Sequence, residues 1–185
     1  LHVGTRLSAR WASRIAVPSK VVAEDVHQYY GVDNEKITVV PNGYDPEMFT
    51  GLTPKRVAEV MKHHGIRDPY ILFIGRLEVR KNVSRLIEAF YRLRDSGLFG
   101  GQLVLVGNPG VGYEEIREMI NKRKAGEYVV HTGHLPSEER AALFRGARVL
   151  AFPSLFEGFG VPILEAFAAE TPVLTANRGA PAEVA

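Results

Sequence analysis

From residue 70 onward, short runs rich in Val, Ile, Leu and Phe alternate with longer amphipathic stretches, and this alternation leaves few folds open. The runs predict strands at 70–74, 103–106, 129–132, 149–152 and 173–175. The clearest of the stretches between them, 82–94, brings Val83, Leu86, Ile87, Phe90 and Leu93 to one helical face behind Asn82, which reads as its cap. Strands joined by helices of this length pair in parallel through right-handed crossovers. Near-continuous apolar runs such as Leu103-Val104-Leu105-Val106 fit a sheet covered on both faces. The fold class that follows is α/β, a Rossmann-like doubly wound parallel sheet.

The first 69 residues are less regular, with a strand expected at 14–17, a helix at 19–30, a strand at 36–40 ending in the turn Pro41-Asn42-Gly43, and a helix at 54–64. With 185 residues and 45% hydrophobic content, the chain has material for one substantial core. Its 23 basic and 21 acidic residues are spread without runs, so the net charge of +2 points away from nucleic acid, and any electropositive function must be local. The absence of cysteine excludes disulfides and thiolate metal sites and fits a reducing, cytoplasmic setting. No apolar run approaches the roughly 18 residues of a membrane span, which leaves peripheral association with a membrane surface through other parts of a protein. The last strand ends close to residue 185, so a closing helix is expected beyond it and the chain reads as cut there.

In open parallel sheets ligands bind beyond the carboxyl ends of the strands, which directs attention to three loops. The first and richest is Glu157-Gly158-Phe159-Gly160-Val161-Pro162, which leads into Ile163-Leu164-Glu165-Ala166-Phe167-Ala168 and places two carboxylates eight positions apart around a glycine-rich turn. Pro162 suits a first helical position, so the turn should present unpaired backbone N–H groups to an anion. Glu165 is expected in the first turn of an apolar helix, where an unpaired charge would cost several kcal/mol; a polar partner is needed, and vicinal hydroxyls of a sugar or ribose are suitable guests. The second loop, 75–82, sets Arg76 and Lys81 just before a helix, an arrangement that suits phosphate, although such charges also occur in ordinary solvated loops. The third is Gly133-His134-Leu135-Pro136-Ser137, preceded by His131. Two histidines three apart, running from strand into loop with no acidic or thiolate neighbour, make a poor metal pair; loop packing, or contact with a flat base through the backbone, fits better. A glycosidase pairing of Glu157 with Glu165 is disfavoured by the anion-binding turn and basic loop around them. The Gly107-Asn108-Pro109-Gly110 turn is no dinucleotide fingerprint and no P-loop occurs, which disfavours NAD binding and ATP hydrolysis.

The segments Tyr70-Ile71-Leu72-Phe73-Ile74-Gly75-Arg76-Leu77 with Lys81-Asn82, the run 103–107, and Pro153-Ser154-Leu155-Phe156 through Glu157 to Ala166 resemble family 4 retaining glycosyltransferases of the GT-B fold. The likeness extends from about residue 14 to the end and includes Val39-Val40-Pro41-Asn42-Gly43-Tyr44-Asp45, which resembles the family's link between its two Rossmann-like domains. It implies that residues 1–45 are the tail of an acceptor domain with the linker, and that 46–185 are the donor nucleotide-sugar domain, the C-terminal half of a GT-B fold. It further implies that Arg76 and Lys81 hold the donor diphosphate, and that Glu157 with the backbone of Gly158, Phe159, Gly160 and Val161 addresses the donor sugar and phosphate. Glu165 then takes the ribose hydroxyls, and Gly133 and Leu135 line the base. The implied reaction is sugar transfer from a nucleotide-diphosphate sugar with retention, without a metal or other cofactor, to a saccharide or lipid-linked saccharide bound through a domain absent here. The basic loop 75–82 is similar to that of bacterial mannosyl- and rhamnosyl-transferases of surface polysaccharides, which implies GDP-mannose as donor. Alone, the fragment is expected to bind rather than turn over. A nucleotide-sugar epimerase of GT-B-like fold and a non-catalytic nucleotide-sugar-binding module are the alternatives.

Overall fold

The computed structural model describes residues 2–122 and 128–185. Two short strands, β1 (Ile15–Val17) and β2 (Ile37–Val39), pair in parallel across the helix α2 (Lys20–Tyr30), and α1 (His2–Trp11) precedes them. Ser19 caps α2 by accepting from the Val22 amide at 3.2 Å, and Gly31 ends it at φ 66°, the left-handed conformation that glycine adopts without a side-chain penalty. After α3 (Pro54–His63), which Thr53 caps, the chain enters a five-stranded parallel sheet.

That sheet comprises β3 (Tyr70–Ile74), β4 (Gln102–Val106), β5 (Val129–Gly133), β6 (Val149–Phe152) and β7 (Val173–Thr175), in the spatial order β5-β4-β3-β6-β7. Strand alternation divides the core in two. Tyr70, Leu72, Ile74, Val104, Val106, Leu150 and Phe152 pack on one face with Leu143 and Phe144 of α6 (Ser137–Gly146) and Ile163 and Ala166 of α7 (Val161–Ala168). Ile71, Phe73, Leu103, Leu105 and Ala151 pack on the other with Ile87 and Phe90 of α4 (Val83–Asp95) and Ile116 of α5 (Tyr113–Lys122). Helices therefore cover both faces, as the doubly wound class requires.

Several sequence expectations need correction. Asn82 stands before α4 at φ 59° without capping it; its side-chain amide instead donates to the Pro153 carbonyl at 3.2 Å, joining the loops after β3 and β6. A short closing helix, α8 (Gly179–Val184), follows β7 inside the chain, where none was expected before residue 185. Gly179 and Pro181 hid it, since both lower helix propensity. The helix α1 also lay outside the sequence reading.

Candidate functional site

The chain moves outward from β3 through β4 to β5 and then returns to place β6 on the other side of β3, so the sheet switches direction between β3 and β6. At such a point the loops after the two strands part and leave a crevice. Loop 75–82, after β3, is braced from behind by the β4 loop: the Leu77 amide donates to Asn108 at 3.0 Å, Gly110 to Leu77 at 3.0 Å, and Val79 to Val111 at 3.0 Å. A 3₁₀ turn at Val79–Lys81 then brings Arg80 and Lys81 to the loop after β6, where the Leu155 amide donates to the Arg80 carbonyl at 2.9 Å.

Glu157 is the meeting point. Its side chain is 11% exposed, and each carboxylate oxygen has its own cation: Lys81 Nζ donates to Oε1, and Arg80 Nη1 to Oε2 at 3.0 Å. Arg80 also donates through Nη2 to Glu78 Oε1 at 2.8 Å, and the Lys81 ammonium lies 5.4 Å from the Phe152 ring centroid. Burial pushes the Glu157 carboxyl up, but the hydrogen bonds and nearby charges, with Lys81 foremost among them, outweigh it and hold the group below its ordinary range. Two carboxylates are thus matched by two cations, and Arg76, exposed at the mouth of β3, has no ion-pair partner among the described residues.

Beyond Glu157 the turn runs through Gly158, whose carbonyl accepts from Ser19 Oγ at 2.8 Å, and half-buried Phe159 to Gly160 at φ 127°. The helix opens at Val161, so Pro162 is its second residue rather than its first. Gly160 offers no side-chain cap, Pro162 has no N–H and the Ile163 amide donates to the Gly160 carbonyl at 2.9 Å. Of the first three helical residues, then, only Val161 has an amide without an intrahelical partner, fewer than the several the sequence led one to expect. Glu165 is accordingly the fifth helical residue, at the start of the second turn rather than in the first, a correction of one residue from the sequence expectation. It is 8% exposed and its polar partner is Arg140 of α6, with Nη2 at 3.5 Å from Oε1. Burial raises the Glu165 carboxyl above its ordinary range, and the Arg140 charge only partly offsets this.

The two glutamates therefore act on stability with opposite signs. For Glu165 the folded state binds its proton more tightly than the unfolded chain, so its contribution worsens as pH rises from the ordinary carboxyl range through the raised folded value. Glu165→Gln is expected to raise the melting temperature at pH 7 by roughly 2–4 °C, corresponding to about 1 kcal/mol, and to have no effect near pH 4. A fall at pH 7 would show that the Arg140 pair stabilises the fold.

Gly133 ends β5 at φ 76° with open space around it, and its carbonyl accepts from the Gly107 amide at 2.8 Å. Leu135 does not line a site with its side chain, which is buried in the core with Leu143 and Phe144; only its backbone is left to face a ligand. His131 Nε2 donates to the Gly107 carbonyl at 2.9 Å, which leaves Nδ1 to accept from the Tyr113 hydroxyl at 3.2 Å. Among the described residues no group of three or more His, Cys, Asp or Glu side chains is placed to hold a metal. The structure thus gathers Lys81, Glu157 and the 158–161 backbone at the crevice, with Arg76 on the same β3 loop and Glu165 one helix turn further in. Arg80, Glu78, Arg140 and Ser19 were missed. Arg80 shares its charge and loop with Lys81, so composition gave no reason to single it out, and Arg140 lies on a different helix from Glu165.

An open parallel sheet covered on both faces, with a cation–carboxylate cluster at its switch point, defines a Rossmann-like domain. The sequence profile described as Glycosyl transferases group 1 matches residues 58–185, and that described as Glycosyltransferase Family 4 matches residues 3–48. The chain belongs to the group 1 glycosyltransferases. It is 30% identical to a D-inositol 3-phosphate glycosyltransferase of Pseudarthrobacter chlorophenolicus over 186 residues, covering 96% of this chain and 43% of the relative. It is 32% identical to the O-antigen chain mannosyltransferase B of Escherichia coli over 108 residues, covering 58% and 28%. The crystal structure of Anabaena HepE in complex with UDP-glucose superposes with a TM-score of 0.86 at 22% identity, covering all of this chain and 50% of that one. The chain thus spans less than half the length of these two curated relatives. Among the described residues no helix is long and apolar enough to cross a membrane.

Proposed function

We propose that this chain is the donor-binding half of a retaining glycosyltransferase, with residues 1–45 belonging to the acceptor domain and linker and 46–185 binding a nucleotide-diphosphate sugar. The observation that carries this reading is the pairing of Lys81 and Arg80 with Glu157 across the β3–β6 crevice. Arg76, unpaired at the mouth of β3, and Lys81, already poised over an anion, are the groups to meet the diphosphate. As the sugar leaves, negative charge grows on the bridging oxygen, and fixed cations lower the barrier by stabilising it. Glu157 and the 158–161 backbone address the sugar and phosphate, Glu165 accepts from the ribose hydroxyls, and the backbone of Gly133 and Leu135 borders the base. The donor is GDP-mannose, a choice supported by similarity to the mannosyltransferase of E. coli and to an MMP alpha-(1→4)-mannosyltransferase of Mycolicibacterium hassiacum, the latter 31% identical over 95% of the chain. The acceptor is a saccharide or lipid-linked saccharide, and the whole enzyme works in the cytoplasm at the membrane surface. A UDP-sugar is the second reading, favoured by the fold's likeness to HepE, which was crystallised with UDP and with UDP-glucose.

Titration calorimetry of the folded chain and of the full-length protein with GDP and UDP tests the donor assignment. GDP is expected to bind both, and more weakly to the chain alone; failure of both nucleotides to bind the full-length protein at millimolar concentration would overturn it. Arg76→Ala is expected to weaken the binding of GDP by about 1.5–3 kcal/mol, the scale of a hydrogen bond to a charged group. The same variant should melt within a degree or so of the parent, since the exposed Arg76 side chain has no ion-pair partner to lose. A large loss of stability with affinity intact would make the residue structural.

A further inference from the structure

Arg80 occupies the middle of the ionic cluster but has no part in the donor chemistry assigned above. Its guanidinium spans three acceptors on two loops: Nη1 donates to the Phe156 carbonyl at 2.6 Å and to Glu157 Oε2 at 3.0 Å, and Nη2 to Glu78 Oε1 at 2.8 Å. Its own carbonyl accepts from the Leu155 amide, so main chain and side chain both fasten the loop after β6 to the loop after β3. The side chain is 45% exposed, whereas those of Glu78 and Glu157 are 16% and 11% exposed, so a partly solvated guanidinium holds two largely buried carboxylates. A planar fork can serve three acceptors that lie apart; a lysine ammonium is a compact point charge on a flexible stem and holds no such fixed geometry.

The division of labour on Glu157 gives this arrangement its significance. Lys81 takes Oε1 and Arg80 takes Oε2. If Lys81 were the only cation on Glu157, turning to a diphosphate would strand a buried carboxylate, and removing one partner of a buried ion pair is strongly unfavourable. With Arg80 in place, Glu157 keeps a partner throughout. We propose that Arg80 is a positioning residue: it fixes Glu157 and the 155–157 loop through Oε2 and the Phe156 carbonyl, and so makes Lys81 the exchangeable partner, able to pass from Oε1 to the donor diphosphate. This inference rests on the reading in which Lys81 meets the diphosphate.

The test is a double-mutant cycle in the full-length enzyme, measuring donor KM and kcat for R80A, R80K, E157Q and R80A/E157Q, with K81A and thermal melts as controls. R80A is expected to lower kcat about 30-fold with donor KM within about threefold, as for a misplaced group that does not itself bind substrate. R80K restores the charge without the fork and should recover only a minor part of that loss. In the E157Q background R80A should lower kcat by less than about fivefold, because the part of its effect that runs through Glu157 is already gone and only the Phe156 carbonyl contact remains to be lost. Equal losses from R80A in both backgrounds, full recovery by R80K, or a rise in donor KM with kcat unchanged would each overturn the proposal. If R80A does not fold, R80K and R80K/E157Q carry the cycle, and an R80K loss of equal size in both backgrounds overturns it. Nucleoside diphosphate affinity unchanged in K81A would instead overturn the reading of Lys81 on which the inference rests.

Discussion

Replacing Lys81 with alanine is expected to reduce kcat/KM of the full-length enzyme by about 10²–10³-fold, roughly 2.7–4 kcal/mol of transition-state stabilisation, the scale set by removing one fixed donor from a developing anion. If Lys81 meets the donor diphosphate as proposed, the largest share should appear in kcat, because the charge on a departing diphosphate exceeds that on the bound donor. Lys81→Arg should retain more activity than Lys81→Ala, since it keeps a cation over the Phe152 ring and against Glu157. The apo protein provides an independent readout. Glu157 is held below its ordinary range, so its contribution to stability is present above the unfolded carboxyl pKa and is lost as pH falls through the lower folded value. Lys81→Ala removes the foremost of the interactions that keep it there, so the variant should unfold at a less acid pH than the parent in acid titrations followed by circular dichroism. A loss of activity under tenfold would remove Lys81 from the diphosphate site.

A second large effect is expected at Gly107, where β4 meets the crevice. A Cβ built there would lie 2.1 Å from the Gly75 carbonyl oxygen and 2.8 Å from its carbon, and φ is 141°, a conformation that side chains rarely adopt. Neither neighbour can give way cheaply, since Gly75 is the residue that carries the β3 loop into the site. Gly107→Ala should cost about 3 kcal/mol or more, a fall of roughly 6–12 °C in melting temperature, by combining overpacking with backbone strain. Gly133→Ala makes the control: its φ is 76° but the space around it is open, so it should cost only about 1–2 kcal/mol. Chemical denaturation of both variants measures the difference, and equal losses would refute the close-approach argument.

Residues 70–74 and 149–152 could be read as strands to the residue because their apolar runs are bounded by Pro69, Gly75, Arg148 and Pro153 and lie in the middle of the sheet. The strand 173–175 followed from its β-branched and apolar run after Pro172, although at the sheet edge its Leu174 is exposed. β4 starts one residue earlier than its apolar run, at Gln102, a polar side chain that is nonetheless 4% exposed. Backbone details escaped for a different reason. That Asn82 joins two loops instead of capping α4, and that Glu165 meets Arg140, are contacts to residues 71 and 25 positions distant in sequence. The site shows the same boundary between local and distant information. Glu157, Lys81 and Arg76 stood out from charge beside glycine and a helix start, which are local signals. The choice of Lys81 and Arg80 for separate oxygens of Glu157 is a tertiary fact across 76 and 77 residues, and no local pattern encodes it.

The Glu183 carboxylate of α8 closes the N-terminus of α2, accepting from the Lys20 amide at 3.1 and 3.0 Å and from the Val21 amide at 3.4 Å. Beside it, Ser19 holds the Gly158 carbonyl. Any rotation of the 3–48 region against the large sheet must break this cap and leave helix amides to water, at a cost of about 1 kcal/mol for an exposed cap. That corresponds to roughly a fivefold bias toward the docked arrangement from this contact alone. Helix α8 thus works as a light detent, and its setting belongs to a carboxylate 163 residues away from the helix it restrains.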